Sequence, residues 1–195
     1  RPLATARAVY ETRAGVVVRA LDGRSPAANG WGEATPLPEH GTETLDECAS
    51  ALGAATAEIR GHSMETVADV DELLSAVCWP HRPAARHGLA LALLDLLARR
   101  RRWPLARLFS AEPTDRVETA LLLGAEAGAE AAAAVGGRDA GFRYLKVKVA
   151  RGPVEDDVAR IRAIREALGP SEGVLLRLDA NGGWTRDEAI ERIKT

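Results

Sequence analysis

The sequence predicts a two-part chain: an α+β segment of antiparallel strands and helices, then an α/β segment of parallel strands and helices. Three observations predict it. Apolar residues alternate or run through ARAVYE, GVVVRAL and GWGEATPLP, as in short strands. From Thr42 onward the apolar spacing becomes helical. Beyond residue 112, strand-like and helix-like stretches alternate with short loops, which calls for βαβ units and a parallel sheet. The two parts are therefore drawn at 1–112 and 113–195.

Taken in order, the three opening stretches form a small antiparallel sheet, with DGRSPAANG turning between the last two. TETLDECASALGAATAEIRG and SMETVADVDELLSAV follow as helices, each with Thr or Ser and a Glu near its start as cap signals. RPAARHGLALALLDLLARRR is a third helix, apolar around most of its girth between Leu89 and Leu97, and so buried; Trp103-Pro104 ends it. After SAEPTDR come VETALLLG, the alanine-rich AEAGAEAAAAVGGRDAG, FRYLKVKVA, VEDDVARIRAIREALG, GVLLRLDANGG and TRDEAIERIKT. These read strand, helix, strand, helix, strand, helix. Such a set is too few for a closed eight-stranded barrel, which takes roughly 250 residues, or for a full doubly wound sheet. The last stretch also reaches Thr195 in helical pattern without a C-cap glycine, so an α/β domain cut short, its remainder beyond Thr195, is expected.

At 195 residues and 46% hydrophobic, the chain can bury a core, which excludes a disordered segment. A net charge of -2 offers no general attraction to nucleic acid or anionic membrane. No apolar run approaches the roughly 18 residues of a membrane span, and RPLATARAVYETRAG has no signal-like stretch. The expectation is a soluble cytoplasmic protein with a small-molecule carboxylate substrate, able to form a homo-oligomer. Cys48 and Cys78 read as reduced, isolated thiols, and His40, His62, His81 and His87 lack the paired spacing of zinc sites. The run Arg99 to Arg102 meets the dipole at a helix carboxyl end.

The chemistry is concentrated in two strands. Lysine occurs only at 146, 148 and 194, whereas arginine occurs 23 times, so two of three lysines stand at i and i+2 in RYLKVKVA. Arginine cannot release its proton in a protein and lysine can, which makes Lys146 and Lys148 candidate acid/base groups. They share one face of the strand while Leu145, Val147 and Val149 share the other, and close ammonium groups lower one another's pKa. The alternative is an edge strand with solvated lysines. VLLRLDANGGW then brings Asp179 and Asn181 to a strand's carboxyl end, where α/β enzymes place their sites. Asp179 suits Mg²⁺; DANGG is equally good turn chemistry. A tunable lysine beside a divalent cation is suited to removing a proton α to a carboxylate.

GWGEATPLPEHGTETLDEC, HGLALALLDLLARR, LKVKV and LRLDANGGW occur in the order and spacing of the enolase superfamily. Over nearly the whole chain the sequence resembles its mandelate racemase/muconate-lactonizing subgroup, and GEATPLP followed by TETLDE looks most like the o-succinylbenzoate synthases of menaquinone biosynthesis. The resemblance implies an α+β capping domain followed by a (β/α)7β barrel, with about the first three βα units here. It implies Lys148 as general base, Lys146 as its electrostatic neighbour and Asp179 as a first Mg²⁺ ligand. Asn181 would support metal and substrate, and Gly32 to Thr42 would shape the pocket. Two further acidic ligands and an opposite lysine would lie beyond Thr195. The implied reaction is a dehydration giving o-succinylbenzoate. N-acylamino acid racemase, dipeptide epimerase and muconate-type cycloisomerase chemistry would use the same lysines, and an inactive fragment or binding module is the non-enzymatic alternative.

Overall fold

The computed structural model describes residues 3–4, 9–23, 25–77, 79–124, 128–170 and 173–194, with side chains from residue 11 on apart from 25–27. Cys78 lies outside the described residues, as do the first three positions of the alanine-rich tract, 125–127. The chain divides into two compact units, Thr12–Thr114 and Asp115–Thr195, the second including Arg1–Glu11.

β1 (Leu3–Ala4) and β2 (Val9–Tyr10) pair antiparallel with each other. The sequence placed the second of these in one sheet with GVVVRAL; its partner is instead the nearest strand in the chain, which closes the shorter loop. β3 (Val16–Asp22) and β4 (Ser25–Ala34) form their own antiparallel hairpin. The period of two sends Val16, Val18 and Ala20 inward and leaves Val17 and Leu21 outside. Over the inner face lies the long apolar helix, which is α3; α1 (Leu45–Ile59) and α2 (Val67–Ala76) precede α3 (Pro83–Arg100). Cys48, Leu52, Val70, Leu74, Leu89, Leu96 and Leu97 make the core of this unit. A Cβ on Gly32 would stand 2.0 Å from the Gly88 carbonyl oxygen, so β4 and α3 touch backbone to backbone and no larger residue fits there.

The helix starts follow the threonine cap signals, with Asp69 in place of the expected Glu on α2. Thr44 with Glu47 and Thr66 with Asp69 close capping boxes on α1 and α2. Helix α3 begins differently: Arg82 gives no side-chain cap, and the amides of Ala84 and Ala85 donate to the carboxylate of Glu43 at 3.2 and 2.6 Å. Glu43 is buried, and its charge, after burial itself, helps push the neighbouring Cys48 thiol upward in pKa.

In the second unit, β5 (Ala120–Leu122), β6 (Tyr144–Lys148) and β7 (Leu175–Asp179) form a parallel sheet in that order. Each strand leads to a helix: α4 (Ala129–Asp139), α5 (Val154–Leu168) and α6 (Arg186–Arg192). Leu121, Leu145, Val147, Val149 and Leu176 pack in one cluster with Ala134, Ile164 and Leu168 from α4 and α5. A Cβ on Gly137 would meet a Leu121 methyl at 2.5 Å, so the alanine-rich helix lies close on the sheet, as its small residues require.

Candidate active site at the ends of β6 and β7

Strand β6 alternates half-buried and buried residues along its length. Leu145 and Val147 are fully buried, which turns Lys146 and Lys148 to the opposite face. In the parallel register Lys146 lies opposite Arg177 and Lys148 opposite Asp179. The Val149 amide donates to the Asp179 carbonyl at 3.0 Å, keeping the two strand ends level. The residues singled out in the sequence, Lys146, Lys148, Asp179 and Asn181, thus meet at the carboxyl ends of adjacent strands.

Their detailed arrangement departs from two ammonium groups facing only each other. A carboxylate stands with them: Lys146 Nζ is 2.8 Å from Asp179 Oδ2. The hydrogen bond from Lys146 holds the Asp179 carboxyl below the usual carboxylate range. Partial burial opposes this, while the Asn181 amide and the charges of Lys146 and Lys148 add to it. Asn181 is reached by its backbone, its amide donating to Asp179 Oδ1 at 3.0 Å. With φ of 50° it sits in the left-handed region that asparagine tolerates. The turn reading and the site reading of DANGG therefore hold together: one oxygen of Asp179 makes the turn, the other meets the lysine. The side-chain nitrogen of Asn181 is buried without a hydrogen-bond partner among the described residues.

Behind β6 lies a charged group that the sequence reading missed. Arg160 of α5 donates Nε and one terminal nitrogen to the Glu130 carboxylate at 2.8 and 2.6 Å, and the other terminal nitrogen to Asp157 at 2.8 Å. It also donates to the Lys148 carbonyl at 3.1 Å, while Asp157 accepts from the Ala150 amide at 2.8 Å. Hydrogen bonding to Glu130 raises the already high pKa of Arg160. The available signal was the i, i+3 pair Asp157 and Arg160, with Glu130 in an alanine-rich tract. The segment Gly32 to Thr42 belongs to the other unit, where Gly32 and Ala34 pack against α3 and the Leu37 amide donates to Thr42 Oγ1.

As a metal donor set, this site contributes Asp179 alone. Among the described residues no three His, Cys, Asp or Glu side chains cluster to hold a metal ion. The residues fit one ligand position, short of the oxygen ligands Mg²⁺ needs.

Residues 127–195 match the family described as enolase C-terminal domain-like. This stretch belongs to the enolase superfamily. The hydrophobic dipeptide epimerase of Enterococcus faecalis is 34% identical over 169 residues, 85% of this chain and 46% of that protein. Its structure with Mg and the dipeptide L-Leu-L-Tyr has a TM-score of 0.85 at 28% identity, over 99% of this chain and 53% of that one. The substrate-liganded L-Ala-D/L-Glu epimerase of Bacillus subtilis gives a TM-score of 0.85 at 30% identity, over 100% of this chain and 53% of that one. The o-succinylbenzoate synthase of Thermosynechococcus vestitus is 34% identical over 192 residues, 96% of this chain and 50% of that protein. A Thermosynechococcus elongatus synthase structure with Mg in its active site has a TM-score of 0.69 at 29% identity, over 100% of this chain and 52% of that one. The chain thus spans about half the length of the relatives it matches. Its fold is that of the enolase superfamily, the parallel sheet and its helices forming part of an α/β barrel. Epimerases and the synthase are similar to it at the same level of identity, so the subgroup drawn from GEATPLP and TETLDE is not singled out.

Proposed function

We propose that this chain forms part of an enolase-superfamily enzyme that removes a proton α to a carboxylate, with Lys148 as the base. The observation that carries this is the grouping of both lysines with Asp179 on the face of the sheet opposite to the one packed on α4 and α5, Lys146 within 2.8 Å of the carboxylate. Lys148 takes the proton on its amine. Lys146 keeps positive charge beside the place where the substrate carboxylate gathers negative charge. Asp179 lends one ligand to a Mg²⁺, which when bound stabilises charge on the substrate's carboxylate oxygens. The remaining ligands belong to the rest of the full-length protein, and Asn181 supports the turn that presents Asp179.

The substrate class we propose is a dipeptide or N-acylated amino acid, whose α-proton returns on the opposite face from a second base. The higher TM-scores of the two epimerase structures, 0.85 against 0.69 for the synthase, support it. A second reading, o-succinylbenzoate formation, is supported by 34% identity to a synthase over 96% of the chain. We also propose a cytoplasmic location, in keeping with a buried reduced thiol at Cys48.

The test is α-proton exchange in D2O by the full-length protein with Mg²⁺, using hydrophobic and Ala-Glu dipeptides beside the synthase substrate. Exchange with dipeptides, lost by on the order of 10²–10⁴-fold in Lys148→Met, is the expected result. Exclusive turnover of the succinyl-cyclohexadiene carboxylate would replace the first reading with the second. Undiminished exchange by Lys148→Met would remove Lys148 as base.

A further inference from the structure

Lys148 is the last residue of β6, and two residues later Ala150 adopts φ of 65°, a left-handed conformation that side chains with a Cβ avoid. What keeps the chain in that path is visible around it. The Ala150 amide is held by Asp157 and the Lys148 carbonyl by Arg160, and Asp157 is itself held by Arg160. Glu130 takes Nε and a terminal nitrogen together, which fixes the guanidinium plane. The side chains of Glu130 and Asp157 are 5% and 6% exposed. Buried charge networks are poor devices for stability, because losing water offsets most of the attraction. Apolar side chains could join α4 to α5 as well. A rigid fork that reaches the backbone on one side of Val149 directly, and on the other through Asp157, serves orientation.

We propose that Arg160 is a positioning residue for Lys148, holding the end of β6 through the Lys148 carbonyl and, by way of Asp157, the Ala150 amide. This rests on the reading of Lys148 as base. Arg138 offers an internal control: it reaches from α4 to the Leu168 carbonyl at 3.0 Å, joining the same two helices, and its other hydrogen bond among the described residues goes to Asp139.

The experiment compares Arg160→Met, Arg160→Lys and Arg138→Met in the full-length protein. Three quantities are read: hydrogen exchange of the Ala150 amide, kcat and KM for substrate α-proton exchange, and the melting temperature. Arg160→Met is expected to speed Ala150 exchange by about tenfold. It should also lower kcat by on the order of 10²-fold, the cost of a displacement of about 1 Å, with KM within about twofold. Arg160→Lys, which keeps the charge and loses the fork, recovers melting temperature more than kcat. Arg138→Met lowers the melting temperature and leaves kcat and Ala150 exchange as they were. Ala150 exchange equal in Arg160→Met and Arg138→Met overturns the proposal, and so does an equal fall of kcat in both. Should Arg160→Met fail to fold, Arg160→Lys decides on the same readouts, faster Ala150 exchange supporting and unchanged exchange overturning. Should Lys148→Met retain full kcat, the base reading falls by itself, and Ala150 exchange still decides whether Arg160 holds this backbone.

Discussion

The two faces of the β5–β7 sheet differ in everything except the strands that make them. On one, Leu145 and Val147 are fully buried against residues of α4 and α5. On the other, Lys146 and Asp179 keep 41% and 25% of their side chains exposed. Water leaving the first face stabilises the fold at about 25 cal/mol per Å² of apolar surface. Water kept at the second lets three charged groups stand together without the cost of burying them. The five residues of β6 serve both because side chains alternate, so apolar burial and charge are separated by one position in sequence.

Substitutions on the two faces should therefore fail in different assays. The largest effect on folding is expected from Leu145→Ala, a loss of about 2–5 kcal/mol in a urea titration of the full-length protein, since the cavity is enclosed between sheet and helices. Val147→Thr should cost about 1–3 kcal/mol in the same titration, because its hydroxyl enters the apolar cluster without a partner. A loss below about 0.5 kcal/mol for either would mean that this face yields easily. Lys146→Met on the other face should change stability at neutral pH by no more than about 1 kcal/mol, the pair being partly exposed.

The same substitution sharpens the contrast through pH. Asp179 is held below its ordinary value chiefly by the hydrogen bond from Lys146. A lowered folded pKa means that the pair's stabilisation is complete above the usual carboxylate range and is lost as pH falls through the folded value. Between pH 7 and the acid range below about 4, the native protein should lose more stability than Lys146→Met does. Equal losses, measured as denaturation midpoints across that range, would take the ion pair out of the account.

Much of this was legible in the chain. The alternation in LKVKV orders its two faces by geometry alone, and the capping threonines mark where α1 and α2 begin because each carries an acidic residue three places on. The start of α3 at Arg82-Pro83 was legible too, but its cap was not, since that cap is Glu43, 41 residues before the Ala84 amide it receives. Nor was the place of Arg160, which the sequence shows only as one polar position of an amphipathic helix. Long-range hydrogen bonds leave no periodicity behind them.

By itself, then, the sequence determined the order of elements, the burial of one side of β6 and the pairing of scarce lysines with Asp179 at strand ends. Each of these follows from local spacing or from residue chemistry. Only the tertiary structure decided that Lys146 Nζ meets the Asp179 carboxylate and that Arg160 reaches the Lys148 carbonyl at the strand end. These depend on strand register and helix docking, which bring together residues separated by 12 to 33 positions, distances over which no sequence pattern acts.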